Sequence, residues 1–376
     1  MTAEVVTAKT VTVEAGRLTA LVGDIFLAAG CDAEEARAVA THLVEANLTG
    51  HDSHGVCKIP EYVGVLRDGR VKSGRRVTVV RDAGAVLVLE GNLGLGQVVA
   101  RQAMELGIAR ARELGAAVVA LRHAHHIGRV GAWAEQCAAA GCVSIHFVNV
   151  TGHAPYVAPF GGRDGRLGTD PFCVGLPATG RPPIILDFAT SKVAWGKLLV
   201  AKNKGETVAP GAVLDALGRP STDPGVMFQT PPGVMLPFGE HKGYGLAVIC
   251  DLLAGALGLG GTNSPLTVLN DTAVNNMLSV IIDTGALVEG SVFGREVDAL
   301  VDWLKASRTQ EGVDEILVPG EPERRRRAER LREGIAIDRV TWNEIAAAAR
   351  LVGCRVASRA FAGSLTDRGN AEAPRR

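Results

Sequence analysis

Residues 116–150 read AAVVALRHAHHIGRVGAWAEQCAAAGCVSIHFVNV. The run opens on an apolar segment, AAVVALRH, and closes on another, VSIHFVNV, each of strand length and rich in β-branched residues. Between them Val130 to Ala140 follows a helical period. A strand, a helix and a strand in succession predict an α/β chain. The loop between the first strand and the helix holds three of the nine histidines, His123, His125 and His126, within four residues, and Gly128 and Gly131 bracket Arg129. Clustered imidazoles before a helix start offer proton transfer, metal ligation or anion binding near neutral pH, the last because free N–H groups and the helix dipole favour a negative group.

Upstream, Arg17 to Leu48 divides into two helices, the second capped by Asp32. Tyr62 to Asp68 continues helically, VTVVRDAGAVLVLEG alternates as paired strands, and a helix spans Gly96 to Leu114. Downstream, Thr151 to Pro237 is rich in glycine and proline with short apolar runs, which suits an antiparallel or mixed sheet better than a regular doubly wound repeat. The apolar window Gly243 to Gly261 contains Asp251 and six glycines and reads as a buried core helix rather than a membrane span. The strand LSVIIDTG, a helix over Val297 to Ser307 and a last helix through Val352 follow, and residues 358–376 have the composition of a disordered tail.

The 376 residues are enough for two or more cores, and Lys+Arg and Asp+Glu balance at 40 each, which argues against a nucleic-acid or anionic-membrane partner. The run Arg324 to Arg327 is interleaved with Glu321, Glu323 and Glu329 and reads as a solvated helix face. Seven cysteines without CxxC spacing predict reduced thiols, and the first sixteen residues lack an apolar secretory segment; a cytoplasmic location is the expectation.

Other clusters carry chemistry. His51, Asp52, Ser53 and His54, with Lys58 and Tyr62 beyond, admit three readings: a zinc site built on His51 and His54, an acid–base site whose Lys58 and Tyr62 hold an anion from one helical face, or a capping turn. No closed ligand set with conventional spacing appears, so no metal is expected. GNLGLGQ and GALGLGG do not reproduce the GxGxxG fingerprint between a first strand and helix, so a Rossmann fold is unsupported. LDFATSKVAWGK places Asp187, Thr190 and Ser191 just after an apolar strand, either as caps or facing a ligand. In GEHKGYG, His241 and Lys242 lie between glycines before the apolar helix, as an anion cradle or a packing loop.

In order, SHG followed by Tyr62, GLGQ, HHIGRVGAWAEQCAAAG, APFGG, GTDPF, LDFATS, STDP, EHKGYGLA and LVPGEPE resemble the type-2 malate/L-lactate dehydrogenases over about Arg17 to Val352, with HHIGRVGAWAEQCAAAGCVSIHFV most similar to the hydroxycarboxylate dehydrogenase B branch. The resemblance implies a non-Rossmann α/β fold in which a central cofactor domain with a mixed sheet, residues 86–299, is flanked by a helical domain from both chain ends, residues 1–85 and 300–357, assembled as a homodimer. It implies a cytoplasmic enzyme that moves hydride between NAD or NADP and a small 2-oxo or 2-hydroxy acid. Carried over by position, His126 is the acid–base group, with Ser53 and His54 beside it, and Lys58 and Tyr62 hold the substrate. Asp187, Phe188, Ala189, Thr190, Ser191, His241, Lys242, Gly320, Glu321, Pro322, Glu323, Arg324 and Arg325 contact the cofactor. The alternatives are a reductase of cyclic imines such as piperideine or pyrroline carboxylates, a histidine-based zinc hydrolase, and a catalytically silent ligand-binding protein.

Two positions depart from the pattern. Lys58 stands where many members carry arginine, which removes a bidentate grip on a carboxylate. Asp170 replaces asparagine in GTNP and adds a negative charge near the cofactor domain.

Overall fold

A computed structural model describes residues 10–354; the expected tail at 358–376 lies outside the described residues. In chain order the elements are β1 (Thr10–Val13), α1 (Ala15–Ala28), α2 (Ala33–Leu48), α3 (Ile59–Arg67), β2 (Thr78–Ala83), β3 (Val86–Glu90), α4 (Gly96–Leu114), β4 (Ala116–His125), α5 (Gly131–Ala139), β5 (Cys142–Thr151), β6 (Phe172–Leu176), β7 (Ile184–Phe188), α6 (Trp195–Lys204), β8 (Val213–Leu214), β9 (Pro220–Ser221), β10 (Val234–Met235), α7 (His241–Cys250), β11 (Val274–Asp283), α8 (Gly290–Lys305), α9 (Glu321–Glu333), β12 (Ile335–Asp338) and α10 (Arg339–Leu351).

The helix ends follow from the residues that cap them. Asp32 accepts from the Glu35 N–H and the Glu35 side chain reaches back to the Asp32 N–H, a full capping box on α2. Helix α4 closes on Gly115 in the left-handed region.

Seven strands form one mixed sheet in the order β2-β3-β4-β11-β5-β6-β7, parallel at β3 with β4 and antiparallel elsewhere. The alternation around α5 therefore does not make β4 and β5 neighbours, because β11, from far along the sequence, lies between them. One core layer joins this sheet to α4 and α5 through Leu89, Met104, Leu121, Cys137 and Ile281. Each fully buried Leu or Met there contributes about 1.5–3 kcal/mol. A second core gathers α1, α2, α3 and α10, and β1 pairs antiparallel with β12, so segments from both ends share it. Neither short strand was expected from the sequence; four residues are too few for alternation to register.

One further expectation changes and another holds. The apolar window is not buried throughout: α7 continues into a π-helical turn, Asp251–Leu257, and Ile249, Leu252 and Leu257 are exposed while Ala247, Cys250 and Ala254 face inward. The basic run on α9 is held by acids, Arg325 by Glu315, Arg326 by Glu329 and Arg327 by Glu45, which fits a charged helix face. Among the described residues no helix is long and apolar enough to cross a membrane.

Candidate active site

Strand β4 delivers His126. Its last turn is irregular: the register with β11 shifts between Asn275 and Met277, and His123 adopts a positive φ of 51°. Such a bulge re-aims the end of a strand. Side chains from β11 fix the new direction, with the Asn276 amide oxygen accepting from the His123 N–H (2.9 Å) and the Asn275 oxygen from the Ile127 N–H (2.9 Å). On the other side Gly128, at φ 74°, lies so close to His42 that a Cβ would meet its Nε2 at 2.1 Å, and that Nε2 accepts from the Arg129 N–H (2.9 Å).

His126 is buried, and its Nδ1 lies 2.6 Å from the Tyr62 hydroxyl. The Gln97 amide donates to that hydroxyl (3.0 Å) and to the His126 carbonyl (3.2 Å). His54 stacks on the His126 ring with centroids 5.4 Å apart and planes inclined by 16°, while its Nδ1 meets the Ser53 hydroxyl at 3.0 Å. Burial first, then the charge of Lys58, holds His126 well below its ordinary value of 6.5. Burial likewise pushes His54 down to about 3, so at neutral pH the stacked rings are both uncharged and do not repel.

Lys58 forms an ion pair with Glu61 (2.8 Å). Burial acts to lower its pKa, but Glu61 outweighs that and holds the ammonium above its ordinary value. These groups open onto one cavity of about 720 Å³, which Ser53, His54, Lys58, Glu61 and His126 share with Val148, Val150, His153, Tyr156, Trp195 and Asn275, and with Arg129, Asp187, Phe188, Ala189, Ser191, Lys192, Lys197 and Glu323.

Of the site residues read from the sequence, Ser53, His54, Lys58, His126, Asp187, Phe188, Ala189, Ser191 and Glu323 meet on this wall. Tyr62 does not: it is completely buried behind His126. Lys58 sits in a 3-10 turn before α3, so the four-residue spacing to Tyr62 does not put the two side chains on one helical face. Thr190 is buried beneath the wall, its hydroxyl donating to the Thr169 carbonyl (3.0 Å). His241 and Lys242 are exposed on the first turn of α7, away from the cavity lining. Gly320, Glu321, Pro322, Arg324 and Arg325 also lie off the wall; Glu321 pairs with Lys305 (2.8 Å), Arg324 donates to the Pro183 carbonyl (2.9 Å) and Arg325 pairs with Glu315.

The start of α5 was a candidate for an external anion. Asp187 occupies it instead, accepting from the Gly131 N–H at 2.7 Å. Helix α6 begins at Trp195 without a side-chain cap, beside Lys192 and Lys197, and so leaves N–H groups for a negative ligand. Asp170 is wholly buried, and burial together with Asp251 raises its carboxyl well above the usual range, which disfavours the negative charge read from the sequence at this position. Among the described residues no three His, Cys, Asp or Glu side chains stand together as metal ligands, and His51 faces Glu323 at 3.6 Å. Gln97 and Glu61 were not singled out from the sequence; the signals were Gln97 inside GLGQ and Glu61 three residues after Lys58.

Gly96 gives a direct test of this construction. A Cβ there would lie 2.3 Å from the carbonyl oxygens of both His125 and His126, and backbone cannot swing aside. Gly96→Ala is expected to cost roughly 1–3 kcal/mol of stability and to lower turnover by displacing His126. Urea unfolding and steady-state rates measure both, and wild-type values would remove Gly96 from the account.

A buried, neutral histidine backed by a hydroxyl, next to an ammonium and in a cavity of cofactor-binding size, defines an acid–base site for a small anion. The chain belongs to the malate/L-lactate dehydrogenase family, whose profile matches residues 13–346. It is similar to hydroxycarboxylate dehydrogenase B of Escherichia coli (strain K12), 45% identical over 341 residues that cover 90% of this chain and 94% of that protein. Among solved structures it is similar to the sulfolactate dehydrogenase of Methanocaldococcus jannaschii (33% identity, TM-score 0.80, 92% of this chain and 98% of that one). It is also similar to the delta1-piperideine-2-carboxylate reductase of Pseudomonas syringae (29% identity, TM-score 0.78, 90% and 100%).

Proposed function

We propose that this chain is an NAD(P)-dependent dehydrogenase of 2-hydroxycarboxylic acids. The observation that carries the reading is His126, held by Tyr62 and stacked on His54 in the cavity that also holds Lys58. The relatives' names support the same class of substrate.

A bound nicotinamide would supply the hydride chemistry at its C4, in either direction. In reduction His126 first takes up a proton to become the imidazolium and then gives the Nε2 proton to the oxygen forming on C2, which leaves the ring neutral; in oxidation the neutral ring takes the hydroxyl proton. His54, oriented by Ser53, fixes the ring face of His126. Lys58 holds the substrate carboxylate through one point contact, and Glu61 beside it disfavours a second carboxylate nearby. Asp187 to Ala189, Ser191 and Glu323 line the cavity and would hold the cofactor together with Lys197 and the uncapped first turn of α6, whose N–H groups suit an anionic group.

The flanking helical unit assigned to residues 1–85 with 300–357, beside a cofactor unit over 86–299, is supported within residues 10–354 by the shared core of α1, α2, α3 and α10 and by the β1–β12 pair. Assembly is as a homodimer, for which the exposed Leu257, Leu259, Leu266 and Val268 offer apolar surface. The cysteines of the described residues are free thiols, in keeping with the cytoplasm.

The test follows NADH and NADPH oxidation by the purified protein with phenylpyruvate, pyruvate, oxaloacetate, 2-oxoglutarate and one cyclic imine. Turnover of a 2-oxo acid is expected, with monocarboxylic acids ahead of dicarboxylic ones. Turnover of the imine alone would transfer the assignment to the C=N reading that the piperideine-carboxylate reductase suggests.

A further inference from the structure

The hydrogen bonds behind His126 have a direction. Gln97 is 1% exposed, and its amide lies between two oxygens, the Tyr62 hydroxyl at 3.0 Å and the His126 carbonyl at 3.2 Å. A carbonyl only accepts, so the NH2 end of Gln97 must face it; turning the amide over would set oxygen against oxygen. That same NH2 then donates to Tyr62, and the Tyr62 oxygen is engaged as an acceptor.

The single Tyr62 proton has two places to go, His126 Nδ1 at 2.6 Å or the His126 carbonyl at 3.4 Å, which Gln97 already serves. A hydroxyl donor bonds best near the shorter distance and weakly at the longer. The proton is therefore directed to Nδ1, which acts as acceptor. A neutral imidazole carries one proton, so it resides on Nε2. Nε2 has no protein partner within the described residues and belongs to the side of the ring that lines the cavity.

We propose that Gln97 is a positioning residue that, through the Tyr62 hydroxyl, holds neutral His126 as the Nε2–H tautomer. The inference rests on the acid–base role given to His126 above. The resting site then presents a hydrogen-bond donor to the cavity and is built to receive the carbonyl oxygen of a 2-oxo acid. To accept the proton of a hydroxy acid, Nε2 must first be bare. The ring then carries its proton on Nδ1, and Tyr62 turns its hydroxyl hydrogen from Nδ1 to the His126 carbonyl; the net charge of the protein is unchanged. The same turn accompanies formation of the imidazolium, in which both nitrogens are donors and Tyr62 must accept. Tyrosine suits this position because a hydroxyl serves in either sense, whereas a carboxylate only accepts. The titratable groups around the ring, Lys58, His54, His125 and His42, do not displace this partner, since none is hydrogen-bonded to Nδ1.

The tautomer is read by long-range proton–nitrogen NMR of the full chain labelled at histidine, with the His126 signal identified by its loss in His126→Ala. Wild type is expected to show its proton on Nε2 at neutral pH. Gln97→Leu, close in volume, is expected to give a mixture of tautomers and roughly a tenfold fall in kcat with little change in the KM of the oxo acid. A wild-type proton on Nδ1 overturns the proposal whether or not the variant folds, and so does a Gln97→Leu ring that stays wholly Nε2–H. If His126→Ala abolishes turnover while either of these is seen, the relay is wrong and the acid–base reading survives. If His126→Ala retains turnover, the parent reading falls and the catalytic meaning of the relay falls with it.

Discussion

Replacing His126 with alanine is expected to lower kcat about 10²- to 10⁴-fold, the usual contribution of a positioned acid–base group. Cofactor binding should persist, because the residues proposed to hold the cofactor, Asp187 to Ala189, Ser191 and Lys197, come from a different segment than His126. The loss should appear with every substrate, since it acts on proton transfer and not on recognition of the side chain. Stopped-flow rates together with fluorescence titration of NADH and NADPH separate the two effects. Turnover within about threefold of wild type would mean that another group moves the proton. His54 is then the residue to examine, as the ring stacked on His126 at 5.4 Å.

The second large effect is acid unfolding. Burial, in His42 reinforced by Arg129, holds His42 and His146 at about 3 and His125 at about 4, and puts His126 well below 6.5. In the unfolded chain all four return to about 6.5. A folded pKa below the unfolded one means that the unfolded state binds more protons as pH drops, so the stability these groups contribute is complete above about pH 6.5 and is lost as pH falls toward 4 and 3. With His42, His146 and His125 titrating together the slope approaches about 4 kcal/mol per pH unit near pH 5, and His126 acts in the same direction. His54, which meets solvent across the cavity, adds less. Urea midpoints between pH 7 and pH 4 test this, and a midpoint that stays level down to pH 4 would show that these rings are charged in the folded state. His146→Gln separates this effect from the site, because His146 is held between Ser144 (2.9 Å) and Ser279 (2.8 Å) inside the sheet.

Local signals in the sequence located most of the elements. Asp32 with Glu35 marks the start of α2, Gly115 the end of α4, and the alternation about Gly84 the β2–β3 hairpin. What the sequence did not show is long-range. Nothing in VNNMLSVIID marks it as the strand that separates β4 from β5, because pairing depends on partners more than a hundred residues away. The same holds within the site. His126, His54 and Lys58 were legible as chemical groups, but the partner that fixes the histidine comes from Gln97, 29 residues upstream on another element. Tyr62 was placed with the substrate because a helical period was extended one turn too early, through the 3-10 segment Val56–Lys58. The anion expected at α5 proved to be the protein's own Asp187, a capping partner 56 residues from Gly131 that no local pattern announces.

The central place of β11 also sets when the site can come into being. A chain still emerging from the ribosome, with everything up to Thr272 exposed, has β4 and β5 without the strand that pairs with both, and lacks the asparagines that hold the His126 loop. Until residues 274–283 arrive, two long apolar strands present open edges of the kind that invite self-association. Maturation of the catalytic histidine is thereby tied to the last third of translation, and the fold is one of high contact order that joins its most distant segments late.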